Sequence, residues 1–279
     1  MLSDGSGYII FDGAMGTMLQ KRGLKPGLRP DIMNMTAPDT VESVHRMYVE
    51  AGSDIICSNT FGANAIALRG TGYSPGEIIT AAVAIARRAC GGAAKVALDI
   101  GPTGRLLEPM GDMERERAYE LFSEQAIAGE NAGADYAAIE TMGDLGELEA
   151  AILAVRENTG LPVFATMTFD KTGRTFTGCL PEDFSETAAR LGAAAIGLNC
   201  SLEPAEMYPT MQRIANKTSL PLIIKPNAGL PDGQSGLYSI GPAEFASQME
   251  QFKEIGVRIV GGCCGTTPEY IKELKKVFI

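Results

Sequence analysis

The sequence is poor in histidine and in positive charge, and it holds no apolar run long enough to span a membrane. Its one histidine, His45, lies in a helical stretch (VESVHRMYVEAG) away from any strand end, which disfavours histidine general-base chemistry and leaves a surface or packing role. A formal net charge of −10 disfavours non-specific binding to nucleic acid or to an anionic membrane, because both require a basic surface. Residues 1–10 lack the basic start and apolar core of a signal peptide. No linker, low-complexity tract or charge block divides the chain, so a single domain over residues 1–279 is expected. Six cysteines without a secretory signal point to a reducing cytoplasm, where clustered thiols serve metals or catalysis more often than disulfides.

What is present is a regular alternation. Short apolar runs alternate with longer amphipathic stretches from end to end, the pattern of βα units around a parallel sheet. Eight strands are expected, at Tyr8–Phe11, Asp54–Ser58, Val96–Ile100, Tyr136–Glu140, Val163–Thr168, Ala194–Asn199, Leu222–Lys225 and Val257–Val260. Helices are expected near 39–51, 76–90, 114–132, 144–158, 182–191, 205–215, 243–254 and 269–277. Pro75, Pro181, Pro204, Pro242 and Pro268 each fit a first helical position, where a missing N–H is harmless. Ser74 with Glu77 makes a capping box, and Thr267 is a candidate N-cap. Eight such units predict a (β/α)8 TIM barrel ahead of an open doubly wound sheet.

Barrel enzymes place their chemistry at the carboxyl ends of the strands. Here those ends carry Asp12, Cys57-Ser58-Asn59-Thr60, Asp99, Glu140-Thr141, Thr166 and Thr168, Asn199-Cys200, Lys225-Pro226-Asn227 and Cys263-Cys264. The adjacent pair Cys263-Cys264 is poorly suited to a disulfide, since neighbouring Cα atoms lie about 3.8 Å apart, below the usual disulfide range. Glycines at 261, 262 and 265 allow the bend that turns both sulfurs to one point. With Cys200 from another strand end, the pair suits a soft metal ion. Three thiolates on tetrahedral Zn2+ leave one position open, the arrangement of a catalytic site. Such an anionic centre holds a substrate thiol as thiolate and leaves it nucleophilic, so thiol alkylation follows more readily than water activation. The alternative is a pair of small buried cysteines that only pack.

Asp12 and Glu140 read as partners for a positive group on the substrate, such as an α-amino group. Either carboxylate could instead cap a helix or hold a loop. Asn59, Thr60 and Asn227 can donate to a carboxylate, or serve as turn residues. Cys57 and Cys179 lie near strand ends and offer further ligands, and Cys90 fits least. Lys225 opens a different class of chemistry, a Schiff-base lyase, although a strand-end lysine more often pairs with a carboxylate. The glycine-rich turn before the last helix could cradle a phosphate, which would leave the cysteines unexplained. A non-catalytic zinc or thiol-binding subunit is the third reading.

The segments Asp12-Gly13-Ala14-Met15-Gly16-Thr17, Ser58-Asn59-Thr60-Phe61-Gly62-Ala63, Asp99-Ile100-Gly101-Pro102-Thr103-Gly104, Ile139-Glu140-Thr141, Gly197-Leu198-Asn199-Cys200-Ser201, Lys225-Pro226-Asn227-Ala228-Gly229 and Gly261-Gly262-Cys263-Cys264-Gly265-Thr266-Thr267-Pro268 resemble the homocysteine S-methyltransferases, over essentially the whole chain. The likeness is strongest to the homocysteine-binding barrel of cobalamin-dependent methionine synthases. It implies that Cys200, Cys263 and Cys264 bind zinc, which activates L-homocysteine as a thiolate for methylation to methionine. It further implies that Asp12 and Glu140 hold the substrate amino group, that Asn227 lies close to the metal, and that backbone N–H groups around Ala14 and Met15 hold the carboxylate. The implied methyl donor is methylcobalamin on a separate corrinoid domain or protein docked over the barrel rim. S-methylmethionine, S-adenosylmethionine and betaine are the alternative donors. The chain ends at Ile279, after the eighth expected helix, so an excised domain and a stand-alone methyltransferase are both open.

Overall fold

In the computed structural model, which describes residues 7–25, 27–232 and 238–279, parallel strands alternate with helices around a barrel. The strands are β1 (Ile9–Ile10), β2 (Ile55–Cys57), β3 (Lys95–Ile100), β4 (Tyr136–Met142), β5 (Val163–Met167), β6 (Ala195–Asn199), β7 (Leu222–Lys225) and β8 (Val257–Val260). They pair in the order β1-β8-β7-β6-β5-β4-β3-β2, every pairing parallel. The seam between β1 and β2 is short: a bridge of Phe11 to Ile55, with Asp12 N–H donating to Ile55 O at 3.1 Å and Asp54 N–H to Ile10 O at 2.7 Å. Carboxylates extend it at both ends. Asp54 Oδ2 accepts from Ile10 N–H at 2.8 Å, and Asp12 Oδ2 accepts from Cys57 N–H at 2.9 Å. The expected (β/α)8 TIM barrel is the observed fold.

The helices are α1 (Met15–Gln20), α2 (Met33–Thr36), α3 (Pro38–Ala51), α4 (Pro75–Cys90), α5 (Arg115–Asn131), α6 (Leu145–Asn158), α7 (Pro181–Arg190), α8 (Pro204–Ala215), α9 (Pro242–Met249) and α10 (Pro268–Phe278). Prolines open α4, α7, α8, α9 and α10 as expected, and Ser74 with Glu77 forms the full capping box. Three details differ from the expectation. Short helices, α1 and α2, precede α3, where too few residues exist for a clear apolar period. The stretch near 243–254 divides into α9 and a 3-10 turn, Glu250–Lys253. Thr267 occupies the N-cap position of α10 without a capping bond, because its hydroxyl turns to the Glu269 carboxylate.

Apolar packing lies in two places. The larger body fills the space between barrel and helices, and a smaller one fills the barrel itself with Ile9, Phe11, Ile55, Cys57, Ala97, Ala138, Phe164, Ala195, Ile223 and Ile259. The interior set fixes which side chains face inward, since strand neighbours alternate. Two residues beyond Ala97, Ala138 and Ile223 on their strands stand Asp99, Glu140 and Lys225. The floor of the barrel is thus hydrocarbon and its carboxyl end is charged. His45 lies on the packed face of α3, fully buried, with neither ring nitrogen partnered among the described residues, so it is a packing histidine. Burial pushes its pKa down to about 4.

Candidate metal and substrate site

The sulfurs of Cys200, Cys263 and Cys264 lie within 4.8 Å of one another at the carboxyl end of the barrel. Those of Cys200 and Cys264 are 3.9 Å apart. A tetrahedral zinc with bonds of about 2.3 Å would hold its sulfurs about 3.8 Å apart, so the three thiols fit such an ion with little movement.

The backbone works to bring them there. Cys200 and Ser201 follow β6 with φ of 62° and 63°, and Thr141 follows the inner part of β4 with φ of 61°. Left-handed conformations at non-glycine residues are unfavourable and cluster where surrounding bonds enforce them. Asn199 supplies several of those bonds. Its Oδ1 accepts from Thr141 N–H at 2.7 Å and from the Thr166 hydroxyl at 2.8 Å, while its amide donates to Thr141 Oγ1 at 2.7 Å and points at Cys263 Sγ at 3.9 Å. On the β8 side, a side chain at Gly262 would place Cβ 2.2 Å from Thr266 Oγ1, and Gly265 adopts φ +84° beneath the ring of Tyr238. Only glycine permits that packing and that bend.

The electrostatics of the three thiols are unequal. Cys200 is pushed down to about 3, chiefly by the Cys263 and then the Cys264 thiol bonding to its thiolate. Cys263 moves well up, because Cys200 and then Cys264 hold its proton in their mutual bonds. Cys264 is pushed up to about 12, chiefly through Cys200. The mutual thiol bonds thus favour the thiolate at Cys200 and the protonated forms of its two neighbours. A metal cation in the site would displace the remaining protons, since thiols bind metals as thiolates.

Asn227 stands beside it. Its Oδ1 accepts from Cys264 N–H at 3.0 Å, and its side chain also bonds to Cys200, lowering that thiol. Asp12 is buried with one carboxylate oxygen on Cys57 N–H. Burial pushes Asp12 up to about 7, against the opposing pull of Lys225. Glu140 forms an ion pair with Lys225, whose ammonium also sits 5.0 Å from the centre of the Phe11 ring. Burial disfavours the Lys225 charge, but the surrounding Cys57, Glu140, Asp12 and Asp99 outweigh it and hold the ammonium. A lysine so held is no free amine, so the Schiff-base reading lacks its nucleophile. Cys57 lies at the barrel floor with its thiol pushed well up by burial, while Cys90 and Cys179 lie elsewhere, each pushed up to about 11, so none joins the cluster.

Several expected substrate contacts are engaged within the fold instead. The Asn59 amide donates to Pro30 O at 2.8 Å and to Asn34 Oδ1 at 3.3 Å, pinning the loop after β1. The Thr60 hydroxyl donates to Asp99 O at 2.7 Å. Ala14 N–H donates to Thr266 O at 2.9 Å, which ties β1 to the turn after β8. In this structure those donors hold loops together, as polar groups buried at a barrel end satisfy one another. Met15 begins α1, where the first N–H groups have no partner inside the helix. Asn199 was visible in the sequence only as the residue before Cys200, and nothing in its spacing marked it as the link between β4, β5 and the turn after β8.

The chain matches the family model described as homocysteine S-methyltransferase over residues 9–278. It is 34% identical to the methionine synthase of Mycobacterium leprae (strain TN) over 290 aligned residues, covering 95% of this chain and 24% of that protein. The methionine synthase of Mycobacterium tuberculosis (strain ATCC 25618 / H37Rv) is 35% identical over 288, with the same shares covered. The chain thus spans about a quarter of the length of these relatives. Among solved structures, the metallated homocysteine methyltransferase MmuM from Escherichia coli superposes with a TM-score of 0.84 at 24% identity, covering 99% of this chain and 98% of that one. Its apo form gives a TM-score of 0.77 at the same identity, covering 98% and 97%. The likeness to MmuM is one of fold.

Proposed function

The chain belongs to the homocysteine S-methyltransferase family, and on that premise we propose that it methylates L-homocysteine to methionine through a zinc site made by Cys200, Cys263 and Cys264. The carrying observation is the convergence of three sulfurs within 4.8 Å from β6 and the turn after β8. When bound there, zinc would supply a Lewis acid that keeps an arriving thiol deprotonated at neutral pH and leaves its sulfur nucleophilic. Asn227 positions the ligands by holding Cys264 N–H and bonding Cys200. Asn199 steadies Cys263 and the end of β4 at Thr141.

Below the cysteines, Asp12 and Glu140 would receive the substrate ammonium, each with one carboxylate oxygen outside the bonds described. The free N–H groups at the start of α1, beginning at Met15, would face its carboxylate. Homocysteine sulfur would then attack the donor's methyl carbon in line, forming the S–CH3 bond while the carrier leaves with the electron pair. The donor we favour is methylcobalamin on a corrinoid domain or protein, in keeping with the methionine synthases it matches. Phe61, Leu106, Met110, Phe176 and Leu230 are exposed on loops that follow strands, and such apolar groups around the rim support a docked partner. S-methylmethionine, S-adenosylmethionine or betaine would require no such surface.

The test is zinc content and zinc-edge X-ray absorption with and without L-homocysteine. One zinc per chain, going from three sulfur neighbours to four when homocysteine is added, is expected. No zinc, or a shell indifferent to homocysteine, would return the cysteines to a structural role.

A further inference from the structure

The inner layer at the carboxyl end of the barrel holds three acidic side chains and one basic one, and burial pushes Asp99 well above the usual carboxylate range and Asp12 up to about 7. Asp12, Asp99 and Glu140 act electrostatically on one another there, with Lys225 as the cation among them. Lys225 is engaged by Glu140, and Asp12 has an oxygen on Cys57 N–H. Asp99 is different. Its backbone is fixed on both sides, the N–H by Ser58 Oγ at 3.3 Å and the carbonyl by the Thr60 hydroxyl at 2.7 Å. Its Oδ1 is not: that oxygen is buried and has no hydrogen-bond partner among the described residues, in a residue only 9% exposed. Strand alternation aims it inward, two residues beyond the interior Ala97 and level in register with Ala138, next but one to Glu140.

A buried acceptor left unpaired costs about 1–3 kcal/mol, and more when charged. Asp99 is bonded through its backbone, and its Oδ1 faces the barrel end open to a donor that arrives. An ammonium group carries three N–H donors and a full positive charge. Asp99 Oδ1 offers it an acceptor in the layer that holds Asp12 and Glu140, and the ammonium charge would favour the ionised forms of Asp99 and Asp12. We infer that Asp99 is a third carboxylate of the substrate's ammonium pocket and makes the site select thiols that carry an α-amino group. The inference rests on the homocysteine reading of the site.

The experiment is calorimetric titration of the zinc-loaded protein with L-homocysteine and with 4-mercaptobutanoate, the same thiol without its amino group. It is run on the wild type and on Asp99→Asn, with zinc content measured for both. Asp99→Asn is expected to keep its zinc, to bind homocysteine at least tenfold more weakly, and to bind 4-mercaptobutanoate as the wild type does. Asp99→Ser, smaller and also neutral, gives the same reading should the amide fold poorly. Unchanged homocysteine affinity in the variant, an equal loss for both thiols, or loss of zinc would each overturn the inference while leaving the homocysteine reading intact. A wild type that binds no homocysteine would overturn both.

Discussion

Cys200 and Cys264 arrive from β6 and from the turn after β8, yet their sulfurs stand 3.9 Å apart, and Cys263 completes the set from one residue away. Convergence from two elements means that no single substitution leaves a complete trigonal base for a metal. Cys200→Ala, Cys263→Ala and Cys264→Ala are each expected to lose zinc and turnover, measured by metal analysis and methyl transfer. A single variant that keeps full zinc and activity would sink the three-ligand assignment.

Asp12 titrates near neutrality because burial disfavours its charge. Its carboxylate form, the one able to bind an ammonium, is lost as pH falls through about 7. The KM for homocysteine is therefore expected to rise several-fold from pH 8 to pH 6. Asp12→Asn should show a higher KM throughout, with that acidic limb missing and zinc retained. The homocysteine thiol titrates in both proteins, so the difference between the two profiles is the measurement. An identical pH profile in the variant would remove Asp12 from substrate binding.

Lys225 and Glu140 are largely desolvated. Removing one member of a buried pair leaves an unanswered charge, typically a loss of 3–5 kcal/mol, about the cost expected for Lys225→Met in denaturant unfolding. Lys225→Met with Glu140→Gln should be clearly more stable than Lys225→Met alone. Additive losses would show that the two side chains do not depend on each other.

His45 is neutral inside the protein, its pKa pushed down to about 4 by burial. Its ordinary value is about 6.5, so the unfolded chain takes up a proton that the folded chain refuses. Stability is expected to fall as pH drops from about 6.5 towards 4, by up to about 3 kcal/mol from this group. His45→Leu should remove that contribution and shift the acid unfolding midpoint downward. A midpoint unchanged in the variant would mean another group sets the acid limit.

Much of the fold was legible because its signals are repeated and local. Apolar runs, proline-opened helices and the Ser74–Glu77 capping box are statements about neighbours in sequence, and each is found where it was expected. The cysteine cluster was legible because Cys263 and Cys264 are adjacent and Cys200 closes another apolar strand, while the exclusion of Cys57 and Cys179 had to come from the structure. The partners of the polar residues were not legible. That Asn59 bonds Pro30 and Asn34, that Thr60 bonds the backbone of Asp99, and that Ala14 bonds Thr266 depend on how loops from different strands meet, which no local pattern encodes. Lys225 shows the limit well: its strand-end position allowed a nucleophile or an ion pair, and only the facing Glu140 decides between them.

The seam between β1 and β2 links the ligand pocket to the closure of the barrel. Backbone bonds join these strands at few points, and the Asp12 carboxylate adds one by holding Cys57 N–H. The same side chain thus serves as a clasp and, in the proposed function, as a receptor. Protection of the Cys57 amide against hydrogen exchange becomes a reporter for the pocket, read at a backbone position remote in sequence from Cys200, Cys263 and Cys264.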